Sequence, residues 1–103
     1  MKLALLGTLI AITFSWTASA DSYLYHNLGT VIGSEAYCGL TYDQGAIKAF
    51  IEKHVTAGDR DFIGDLDIRV SNVGAAVEHM SLSQKTAHCT QVTRAAKAYG
   101  FIK

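Results

Sequence analysis

The run Asp59-Arg60-Asp61-Phe62-Ile63-Gly64-Asp65-Leu66-Asp67-Ile68-Arg69-Val70 comes nearest to a metal-binding constellation. Laid on the twelve-residue calcium loop, it sets Asp59, Asp61, Asp65 and Asp67 at positions 1, 3, 7 and 9, with glycine at 6 and an aliphatic residue at 8. The pattern breaks where Ile63 takes a ligand position and where Val70 replaces the bidentate glutamate that closes the shell. The competing account, which we favour, is an acidic helix start followed by solvated charges on an outer face.

Histidines at 26, 54, 79 and 88 are the other metal-ligating side chains. His54 falls on an apolar stripe and reads as a packing residue. His79 and His88 flank an expected turn, where Glu78 or Glu35 would complete a zinc or copper site. No H-x-x-x-H or C-x-x-C spacing supports it. No metal or other cofactor is therefore expected, and Asp59, Asp61, Asp65, Asp67, His79 and His88 are the residues that would carry one. Nucleophilic catalysis has no motif either, since G-x-S-x-G, S-x-x-K and a glycine-rich phosphate loop are all missing. An enzyme is not expected. Of the five tyrosines, Tyr37 and Tyr42 flank Cys38, and with Tyr99 they offer either covers for helix ends or a contact surface.

These residues need elements to position them, and the apolar spacing supplies four. Leu28, Val31, Ile32 and Glu35 follow a helical period over about 25–38, which Gly39 should stop. Thr41 and Gln44 have capping-box spacing ahead of a second helix, about 42–56, whose stripe is Ala46, Ile47, Phe50, Ile51, His54 and Val55. Phe62, Ile63, Leu66, Val70, Val73, Val77 and Met80 fit a third helix, about 60–80. Within it Leu66, Ile68 and Val70 alternate with charged residues as a strand would, and a break near 71–74 would follow from that period; the longer helical register explains more positions. Ser81 or Ser83 with Gln84 opens a fourth helix, about 82–99, with Leu82, Cys89, Val92, Ala96 and Tyr99 turned inward. Gly100 should end it, with Phe101 folding back. The expected fold is all-α, a small four-helix bundle.

Lys2, the apolar run Leu3 to Phe14 and Ala18-Ser19-Ala20 have the form of a secretory leader, too short for a membrane span. Residues 1–20 would then be a signal-peptide helix and 21–103 a single helical domain of 83 residues. So small a core is marginal, and an oxidising compartment favours a bridge between Cys38 and Cys89, the chain's two cysteines, over two buried thiols. Closing that 51-residue loop stabilises by about 4 kcal/mol in the chain-entropy model. After the leader, nine acidic and eight basic residues are interleaved, which argues against nucleic acid as a partner.

Tyr37-Cys38-Gly39-Leu40, Ser81-x-Ser83-x-Lys85-x-x-His88-Cys89 and Tyr99-Gly100-Phe101-Ile102 resemble a group of small exported proteins of Gram-negative bacteria. That resemblance implies a periplasmic address and a single bridge, and no activity. In size and in one disulfide across a helical domain, the chain is also similar to periplasmic acid-stress chaperones, without shared motifs. The expectation is a periplasmic, non-enzymatic protein that binds another periplasmic protein or an envelope component. The alternative is a carrier of a small apolar ligand or metal ion.

Overall fold

The computed structural model describes residues 17–103, so the expected leader helix falls outside the described residues as far as position 16. Four helices follow: α1 (Thr17–Gly33), α2 (Gln44–His54), α3 (Phe62–Glu78) and α4 (Leu82–Tyr99), with no strand among the described residues. The all-α expectation holds. α1 runs without a break through the expected cleavage point after Ala20. No helix among the described residues is long and apolar enough to cross a membrane.

The helix ends show which local signals prevailed. α1 gives way to turns at residue 34, earlier than expected, and Gly39 closes them at φ 67°. Leu40 N–H donates to Glu35 O at 2.9 Å and Gly39 N–H to Ala36 O at 3.2 Å, the paired bonds of a Schellman motif. Cys38 therefore sits on this tight turn and not within α1. The Thr41 capping box does not form. Tyr42 goes into the core and its N–H is taken by the Glu35 carboxylate at 2.7 Å, so the first free helical amides lie further on. Asp43 caps α2 instead, accepting from Ala46 N–H at 3.1 Å, while Gln44 donates to Tyr42 O at 3.3 Å.

α3 passes through 71–74 as unbroken helix. Phe62, Val73 and Val77 are buried on one face, and the strand-like alternation leaves Ile68 62 % exposed on another. Ile63, expected inward, is 61 % exposed. Ser81 and Gln84 form the expected capping box, with bonds of 3.1 and 2.8 Å. Leu82 points to solvent, 82 % exposed, because it is the first helical residue and lies beyond the packed part of α4. Gly100 adopts φ 84°, and Phe101 N–H returns to Ala96 O at 2.9 Å, which drives the Phe101 ring into full burial.

α1 and α3 run parallel, register by register. Tyr25 meets Phe62 edge-on with centroids 5.3 Å apart, Gly29 faces Leu66 and Arg69, Gly33 faces Val70, and Tyr37 covers Gly74. α4 returns antiparallel along another side of α1, so that Ser34 meets His88 near its start and Tyr23 shares a groove with Tyr99 near its end. The core consists of Leu28, Val31, Tyr42, Phe62, Ala96 and Phe101. α2 has no fully buried residue and lies against this core through half-buried Ala46, Ile47, Phe50 and Ile51. Phe50 packs on Tyr99 and Phe101 at 4.7 and 5.6 Å, with His54 stacked outside at 4.4 Å.

Two predictions follow from this packing. A Cβ at Gly29 would stand 2.4 Å from Arg69 Cγ, and one at Gly33 would stand 3.1 Å from the Val70 backbone. Overpacking of about 1–3 kcal/mol outweighs the roughly 1 kcal/mol of helix propensity gained, so Gly29→Ala and Gly33→Ala should each destabilise by about 1–2 kcal/mol in chemical denaturation. Gly74→Ala meets only the movable Tyr37 ring and should be neutral or stabilising. The second concerns Tyr42, whose hydroxyl donates to Val31 O at 2.7 Å. Burial first, and the Glu35 carboxylate second, push its phenol up to about 12. With the folded pKa above the unfolded one, this stabilisation is complete below about pH 10 and is lost as pH rises through about 12. Thermal melts between these values should show a fall that Tyr42→Phe makes shallower.

Candidate functional site

Cys38 and Cys89 are bonded, with Cα atoms 5.4 Å apart, which pins the turn after α1 to α4. A second tie lies beside it. Ser34, fully buried, donates its hydroxyl proton to Thr30 O at 2.7 Å, and His88 Nε2 lies 2.8 Å from the same oxygen. Since the serine proton is already committed, Nε2–H must be the donor, which fixes the ring's tautomer and leaves Nδ1 as an acceptor in the neutral form. The pair is thus unlike a serine nucleophile with its base: the serine accepts from the histidine and has no exposed oxygen.

His88 helps to line an open groove of about 490 Å³ between α1 and α4. Val31, Val92 and Ala95 form its apolar floor, and Tyr23, Asn27, Gln91 and Tyr99 stand along its sides. No Asp, Glu, Lys or Arg lines it among the described residues. The Tyr99 phenol is raised by burial and, second, by Tyr23 nearby. Smaller open clefts lie between α2 and α3, beside Ile51, Val55, Phe62 and Ile63 (390 Å³), and between α2 and α4, beside Phe50, Lys53, His54 and Tyr99 (350 Å³).

The other expected site residues are dispersed. Asp59 precedes α3 and accepts from the Tyr25 hydroxyl and from Asp61 N–H, the latter at 3.1 Å. Asp61 is the α3 N-cap, without a side-chain cap bond. Asp65 and Asp67 lie in regular helix, two residues apart and hence on different faces, so the calcium-loop arrangement is not formed. His79 is the α3 C-cap. Among the described residues, no three His, Cys, Asp or Glu side chains are grouped to hold a metal ion.

The three tyrosines weighed as covers or as a contact surface lie apart. Tyr42 is 3 % exposed and belongs to the core, because its hydroxyl finds a buried acceptor on α1. Tyr37 is exposed over α3, and Tyr99 alone of the three reaches the α1–α4 groove. Tyr23, Asn27, Ser34 and Gln91 were not singled out by sequence motifs. Their signal was helical spacing: 23, 27, 30, 31 and 34 on α1 and 88, 91, 92, 95 and 99 on α4 each repeat every three or four residues. No family model, curated protein or solved structure matches the chain.

Breaking the disulfide tests how far this junction relies on it. Removing a 51-residue closure costs about 4 kcal/mol, or roughly 15–30 °C of melting temperature in so small a domain. Reduction, Cys38→Ser and Cys89→Ser should give matching shifts by calorimetry.

Proposed function

We propose that this is a small exported protein of the periplasm that binds another periplasmic protein or an envelope component, and that the α1–α4 groove is its contact surface. The groove itself carries the reading. It is open, it has no acidic residue, lysine or arginine among its described lining, it has an apolar floor, and hydrogen-bonding side chains stand on both walls. Such surfaces suit association, in which tyrosines and neutral polar groups serve as anchors. A carrier of a small apolar ligand would wrap most of that ligand's surface, whereas this groove and the clefts beside α2 are open to solvent. The leader pattern and a disulfide that persists best in an oxidising compartment support the address.

A photo-crosslinking residue at Gln91, exposed in the groove, should give a discrete adduct in intact cells, and one at the exposed Ile68 on α3 should not. The unreacted protein recovered from the periplasmic fraction should have the mass of a chain starting at Asp21. Equal labelling from both positions, no adduct from either, or recovery only from the cytoplasm would refute the proposal.

A further inference from the structure

We propose that the groove holds the main chain of an uncharged, extended polypeptide segment supplied by the partner. This rests on the groove being the contact surface, and it names what lies in it.

The lining limits the occupant's charge. With no Asp, Glu, Lys or Arg among the described residues along the groove, a charged segment would lose hydration there without a carboxylate, ammonium or guanidinium to pair with. The walls then limit its hydrogen bonding. Asn27 on α1 is half-buried and Gln91 on α4 is exposed, and neither side chain is hydrogen-bonded to another described residue. Each amide carries a carbonyl acceptor and an NH₂ donor, the same pair that a peptide unit presents in reverse. A strand between the two helices can therefore be paired from both sides.

His88 adds a third contact. Ser34 holds its Nε2–H, so the neutral ring has only an acceptor left to offer, which suits a peptide N–H. A helical segment fits less well, because its own ladder already uses its backbone groups and the two amides would face nothing they could pair with. A compact small molecule fits less well too, since the open groove cannot enclose it. The small floor residues Val31, Val92 and Ala95 leave room for every second side chain of an extended strand to point inward.

Main-chain recognition tolerates differences in sequence, so a few synthetic peptides test it. The probes are about three end-capped, fluorescein-labelled decapeptides of Ser, Thr, Ala, Val and Asn in unrelated orders, together with versions carrying alternate N-methylated backbone amides and versions carrying two Asp or two Lys. Fluorescence anisotropy with the oxidised protein should show binding of the neutral set. N-methylation, added charge, Asn27→Leu and Gln91→Leu should each weaken it by about tenfold or more, the loss expected for an amide left unpaired. The two variants should melt as the parent does, because neither side chain is bonded to another described residue. N-methylated peptides that bind as well as their parents, or neutral peptides that do not bind at all, would overturn the proposal. If a crosslink still formed from position 91, the groove would stand and only its occupant would be wrong; if it did not, the contact surface itself would fall.

Discussion

The close approach of α1 to α3 at Gly29 and Gly33 is the constraint on which the rest of the structure depends. Two glycines one turn apart let the Arg69 stem and the Val70 backbone come where a methyl group would not fit. Glycine lowers helix propensity, and in isolation the pair would weaken α1. Here the cost is offset by burial, because α1 can be covered by α3 on one side and still present Leu28 and Val31 to the shared core. The remaining side is free to face α4, and the groove lies along that line.

The α1–α4 junction is stabilised differently. At one end it has the disulfide and the Ser34–His88 bond, within one turn of each other. At the other it has half-buried tyrosine and small apolar side chains, with no cross-helix polar bond given by Asn27 or Gln91. A junction tied firmly at one end and lightly packed along the rest leaves its polar wall residues available to a partner. The tie also sets the orientation of His88 in the groove.

Signals carried by neighbouring residues were readable in the chain. The Ser81–Gln84 box and the Gly100 stop with Phe101 folded under it depend on atoms a few residues apart, and both formed as expected. The Cys38–Cys89 pairing needed only the count of two cysteines. Readings that depended on a distant partner went otherwise. Thr41 has the spacing of a cap, but Glu35 claims the Tyr42 amide and shifts the helix start to Asp43. Tyr42 has the composition of a surface residue, but Val31 O gives its hydroxyl a buried acceptor eleven residues away. Leu82 shares a stripe with Val92 and Ala96, yet the packed part of α4 begins only beyond it. The groove was illegible for the same reason, being made of two helix faces whose juxtaposition no local pattern encodes.

The bond from Asp43 N–H to Phe101 O, at 2.9 Å, has a consequence for how the chain acquires its shape. It joins the start of α2 to the residue beyond the α4 cap, next to the contacts of Phe101 with Tyr42 and Phe50. A chain emerging N-terminus first can pair α1 with α3 early, since their contacts need nothing past Glu78. The core, however, stays open on one side until Phe101 has emerged. α2, which buries nothing completely on its own account, meets Tyr99 and Phe101 through Phe50. The closing of the core is thereby tied to the completion of α4, through contacts far apart in the sequence.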